Sequence, residues 1–142
     1  MDIKHITPDY AVSPQIDPND LPAIAAAGFK GVICNRPDAE VPPTHQADVI
    51  KIAAEAAGLT FTRIPVTHQG LNMQMVKDQA AAMVAAGGPV LAYCASGTRS
   101  SIVWSLSQAG KMSTDDILAA TASAGYDLGG MRGQLDMLAA QN

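Results

Sequence analysis

One stretch of this chain holds the residue types of nucleophilic chemistry in a usable order: Tyr93-Cys94-Ala95-Ser96-Gly97-Thr98-Arg99-Ser100-Ser101. An apolar run, Pro89-Val90-Leu91-Ala92-Tyr93, delivers Cys94 to a strand end, and a turn of small residues follows. Small side chains let successive backbone N–H groups turn inward as an anion-binding nest. Arg99 would open the next helix, adding the positive end of its dipole and a guanidinium fork suited to tetrahedral oxyanions. Such a cradle favours thiolate over thiol, and a thiolate inside it is a nucleophile aimed at an anionic electrophile. Ala95, Ser96, Gly97 and Thr98 would then bind substrate, with Ser100 or Ser101 able to hydrogen-bond the thiolate. The other cysteine, Cys34, ends an apolar strand without comparable neighbours and reads as structural.

These residues need a strand-turn-helix frame, and the flanking sequence supplies it. Short β-branched runs alternate with alanine-rich stretches, the pattern of an α/β protein. Strands are expected at Tyr10–Ser13, Gly31–Asn35, Thr60–Pro65 and Pro89–Cys94, the last apolar throughout and therefore central. Helices are expected after Asp17-Pro18-Asn19-Asp20 up to Gly28, and from about Thr44 to Ala57 with Val49, Ile52, Ala53 and Ala56 inward. Another follows Asn72, carrying Met75, Val76, Ala80, Met83 and Val84, and one follows Arg99. Two more run from Ser113 to Gly125 and from about Met131 to Ala140. The expected architecture is three-layer α/β/α with a central, mostly parallel sheet, forming one domain over residues 1–142. Its site lies beyond the strand C-termini, where ligands of open α/β sheets bind.

Composition narrows the possible partners. With 9 basic against 13 acidic residues and 4% aromatics, nothing points to nucleic acid. No apolar stretch approaches the roughly 20 residues of a membrane span. The opening Met1-Asp2-Ile3-Lys4-His5 lacks a signal-peptide pattern, so a cytoplasmic location is expected. His5, His45 and His68 have no metal-ligand spacing, and no metal or other cofactor is implied. The expected partner is a small anionic substrate or a modified protein.

The loop is similar to the cysteine-arginine signature of the tyrosine and dual-specificity phosphatases. The likeness continues through Ile6-Thr7-Pro8-Asp9-Tyr10, Leu21 to Gly28, Lys30-Gly31-Val32-Ile33-Cys34-Asn35-Arg36-Pro37-Asp38-Ala39-Glu40 and Ile64-Pro65-Val66. Over about residues 3 to 110 the chain resembles the phosphatase-like domain of the bacterial beta-lactamase-hydrolase-like family. That resemblance implies a dual-specificity-phosphatase-like fold and hydrolysis of a phosphomonoester through a cysteinyl-phosphate on Cys94, with Arg99 clamping the oxygens and Arg36 assisting substrate binding. Two departures stand out. Phosphatases of this kind separate cysteine and arginine by five residues, whereas four stand here, a spacing similar to rhodanese sulfurtransferases. A sulfurtransferase carrying sulfane sulfur as a Cys94 persulfide is therefore the second expectation, and a non-enzymatic thiol sensor or pseudo-phosphatase the third. The aspartate that phosphatases place after the Ile-Pro strand is replaced by Thr67-His68-Gln69, which leaves His68 or Asp38 as general acid.

Overall fold

The computed structural model describes residues 1–141. Five strands form one sheet: β1 (Lys4–Thr7), β2 (Tyr10–Ser13), β3 (Gly31–Cys34), β4 (Thr60–Arg63) and β5 (Val90–Tyr93). Their order across the sheet is β1-β2-β5-β3-β4, with β1 antiparallel to β2 and the other pairs parallel. The helices are α1 (Leu21–Ala26), α2 (Ala47–Ala56), α3 (Met73–Ala85), α4 (Thr98–Gln108), α5 (Thr114–Ser123) and α6 (Arg132–Ala140).

Both faces of the sheet are covered, which makes three layers. Val32, Leu91 and Tyr93 pack with Leu21 and Ile24 of α1 and with Ile50 and Ala54 of α2. Val12, Ile33, Val90 and Ala92 pack with Val76 of α3, Val103 and Trp104 of α4, Ile117 of α5 and Leu135 of α6. A strand buried on both faces has no polar side, and β5 (VLAY) is buried at every position in the middle of the sheet, as its sequence implied.

Three expectations are corrected. Strand β1 has no counterpart in the sequence reading, because a single buried residue, Ile6, stands among Lys4, His5 and Thr7 and leaves no clear alternation. Helix α2 begins at Ala47, after a 3-10 turn at Pro43–His45, and buries Ala47, Ile50 and Ala54. Val49 and Ile52 are instead 36% and 70% exposed. The Asp38 carboxylate accepts the Ala47 N–H at 2.8 Å at the helix start, and packing with Val32, Leu91 and Tyr93 buries the Ala47, Ile50 and Ala54 face. On α3, Val84 is exposed while Gln79 is fully buried, because a polar partner waits for it in the interior.

Candidate active site

Parallel pairing of β5 with both neighbours brings three chain segments to the same sheet edge. The Cys94 N–H donates to the Ser13 carbonyl at 3.4 Å, and the Asn35 N–H donates to the Tyr93 carbonyl at 2.8 Å. The chain then turns through Ala95 and Ser96 into Gly97, whose φ of +92° is left-handed, and α4 starts at Thr98. That turn carries the Gly97 N–H back to within 3.1 Å of Cys94 Sγ. Ser96 Oγ accepts from the Thr98 N–H at 3.4 Å, relieving one of the open donors at the helix start. Cys94 is buried at the base of this turn.

Arg99 projects from the first turn of α4 with its side chain 6% exposed. Its Nη1 donates to Glu40 Oε2 and to the Val66 carbonyl, each at 2.8 Å, and its Nη2 donates to Glu40 Oε1 at 2.7 Å. The Arg99 hydrogen bonds hold the Glu40 carboxyl below the ordinary carboxylate range, and the same bonds raise the guanidinium's affinity for its proton. Three of the five N–H donors are thus engaged at the Nη1–Nη2 end. The Nε–H and the second Nη2–H form the side edge of the fork, a geometry suited to two oxygens of one anion.

Ser100 and Ser101 are completely buried, and their hydroxyls donate to acceptors other than the thiol. Ser101 Oγ donates to the Gly97 carbonyl at 2.8 Å, bracing the turn. Ser100 Oγ donates to Asn35 Oδ1 at 2.8 Å and enters a buried network. Within it, Asn35 Nδ2 donates to Gln79 Oε1 at 2.9 Å, Gln79 Nε2 donates to Tyr10 Oη at 3.0 Å, and Tyr10 Oη donates to the Ser100 carbonyl at 2.8 Å. The network ties β2, β3 and α3 to the first turn of α4.

The remaining candidates lie on the β3–α2 loop and the loop after β4. Arg36 donates to the Glu40 carbonyl at 3.2 Å and to Gln15 Oε1 at 3.2 Å, supporting the residue that grips Arg99. Asp38 is occupied at both oxygens, by the Ala47 N–H and by Arg63 Nη2 at 3.2 Å. His68 is exposed on the turn two residues beyond Val66, whose carbonyl touches Arg99. Cys34 is buried, and burial pushes its thiol pKa up. Its Sγ donates to the Arg36 carbonyl at 3.3 Å, in keeping with a structural thiol.

Glu40 stood in the sequence only as the end of the Lys30–Glu40 stretch that carries the family resemblance, without an assigned role, and Tyr126 carried no signal at all. The Tyr126 hydroxyl donates to the Ser96 carbonyl at 2.8 Å.

Residues 2–111 match the family model for the phosphatase-like domain of beta-lactamase hydrolase-like proteins. The chain belongs to that family. A beta-lactamase hydrolase-like protein of Xylella fastidiosa is 31% identical over 131 residues, covering 91% of this chain and 30% of the relative. The chain therefore spans about a third of the length of that curated relative. A crystal structure described as that of a candidate phosphatase from Neisseria meningitidis superposes with a TM-score of 0.83 at 36% identity, covering 97% of this chain and 99% of the other. TpbA of P. aeruginosa, solved as a cysteine-to-serine variant in complex with phosphotyrosine, gives a TM-score of 0.63 at 13% identity over 99% of this chain and 91% of its own. The phosphatase-like family thus has the dual-specificity-phosphatase-like fold, and this member shares it. Among the described residues no helix is long and apolar enough to cross a membrane.

Proposed function

We propose that the protein is a cysteine-dependent phosphatase acting on a small anionic phosphomonoester or a phosphorylated protein side chain. The observation that carries this reading is the Gly97 N–H turned onto Cys94 Sγ at 3.1 Å, beside an Arg99 guanidinium that Glu40 holds by one end. In the first step the Cys94 thiolate attacks phosphorus, an S–P bond forms, and the P–O bond to the leaving group breaks. The side edge of Arg99 takes two equatorial oxygens, whose charge is best met by donors already in place. In the second step water attacks the cysteinyl-phosphate, releasing inorganic phosphate and the thiolate.

The leaving oxygen needs a proton unless it departs as a stable anion. Asp38 caps α2 and pairs with Arg63, whereas His68 is exposed beside the segment that contacts Arg99. The proton transfer therefore falls to His68. Arg36 acts by holding the backbone at Glu40, and the buried serines by bracing the turn.

The deciding assay runs one purified sample on p-nitrophenyl phosphate and on thiosulfate with cyanide, beside Cys94→Ser. Hydrolysis of the aryl phosphate, competitive inhibition by vanadate and complete loss in Cys94→Ser are expected. His68→Asn should lose far more on an alkyl phosphate than on p-nitrophenyl phosphate. Thiosulfate turnover with an extra sulfur on Cys94, and no phosphate release, would replace this reading with sulfur transfer.

A further inference from the structure

The Ser96–Gly97 peptide unit has a hydrogen bond at each end. Its N–H, that of Gly97, points at Cys94 Sγ. Its carbonyl, that of Ser96, accepts the Tyr126 hydroxyl at 2.8 Å. In a trans peptide these two groups point in opposite directions, so fixing one fixes the other. Gly97 sits at a left-handed φ of +92° and, lacking a side chain, gives the unit little resistance to rotation. A methyl group at Gly97 would collide with the Tyr126 hydroxyl, which shows how closely the tyrosine caps the turn.

We infer that Tyr126 is a positioning residue: it locks the Ser96–Gly97 peptide in the orientation that presents its N–H to the Cys94 sulfur. The inference rests on Cys94 being the nucleophile of the proposed reaction. Tyr126 lies just beyond α5, thirty residues from the carbonyl it holds, and is itself secured. Its backbone N–H donates to the Thr121 carbonyl at 2.9 Å, and Lys4 Nζ stands 5.4 Å from its ring centroid. The bond does more than orient. A carbonyl that accepts a hydrogen bond polarises its peptide, and the N–H at the other end becomes a better donor. With Arg99 approaching from α4, this N–H is the loop's own hydrogen bond to the sulfur. Burial raises the Tyr126 phenol pKa, followed by the charges of Cys94 and Asp2, so the hydroxyl keeps its proton as a donor across the working range.

The test is Tyr126→Phe, which keeps the ring over Gly97 and under Lys4 and removes only the hydroxyl. Cys94 alkylation by iodoacetate, read by peptide mapping, should slow about 5- to 10-fold as the N–H that faces the sulfur loses its fixed orientation. Vanadate affinity should fall by a similar factor, while the thermal midpoint stays close to wild type. A tyrosine that merely fills space would leave the alkylation rate and vanadate affinity unchanged, and that result overturns the inference. Failure of Tyr126→Phe to fold would assign Tyr126 to the core, and would overturn it too. Alkylation does not require turnover. A slowed alkylation in a protein without phosphatase activity would therefore keep the positioning role and remove the proposed function instead.

Discussion

At Arg99 the difference between a charge and a fork becomes measurable. Glu40 and the Val66 carbonyl occupy one end of the guanidinium, so the plane of the group is set before any anion arrives. Lysine keeps the charge but is a point donor on a flexible stem, unable to grip Glu40 with two parallel bonds and an anion with two more. Arg99→Lys should therefore lower kcat/KM on any accepted phosphomonoester by about 10²-fold, comparable to removing one oxyanion donor. Vanadate inhibition should weaken alongside. A loss of only a few-fold would place the anion away from Arg99.

The elements meet behind the loop, where polar side chains stand in for core. Tyr10, Asn35, Gln79 and Ser100 come from β2, the end of β3, α3 and α4, and each has at most 1% exposure. A closed set of bonds in a dry site is stable only while every member has its partner. Gln79→Leu keeps the volume but strips Tyr10 Oη of a donor and Asn35 of both its Gln79 bonds. The variant should lose about 2–4 kcal/mol, seen as a lower urea midpoint, because buried donors and acceptors are left without water. A neutral result would mean that water fills the gap. This element scale is also where the sequence stopped being legible. The Cys94–Arg99 loop could be singled out because its residues are contiguous in the sequence. Gln79 and Tyr126 could not, because the partners that give them meaning lie 44 and 30 residues away, and the grip of Glu40 on Arg99 spans 59. In α2 the confusion was one of degenerate pattern. Alanines, valine and isoleucines offer more than one apolar stripe, and only packing with Val32, Leu91 and Tyr93 selects among them.

Across the whole molecule, the Glu40–Arg99 pair fastens the β3–α2 loop to the helix that crosses the core, so its charge state bears on global stability. The Glu40 side chain is 32% exposed and the Arg99 side chain 6%. Glu40→Gln leaves a buried guanidinium without its counter-charge, and the solvent on the glutamate side limits the cost to about 1–3 kcal/mol at pH 7. Because Arg99 holds Glu40 below its unfolded value of about 4.3, that stabilisation is fully present above this pH and disappears as pH falls through the lower folded-state value. Urea midpoints of wild type and variant should thus stand apart at pH 7 and converge as the pH falls below the lowered folded-state value of Glu40. A constant gap would assign the effect to packing rather than charge.

Strand order also has a consequence during synthesis. β5 lies between β2 and β3, yet it is the last strand to leave the ribosome. Until residue 93 has emerged, the nascent chain can form only two unconnected pieces, the β1–β2 hairpin and the β3–β4 pair. The strand that joins them is the one that ends at Cys94, so the sheet closes and the thiol is seated in one event. Tyr126 must still follow before the turn is pinned. A chain abandoned midway thus exposes unpaired strands to the quality-control machinery before the Cys94 loop has taken its shape.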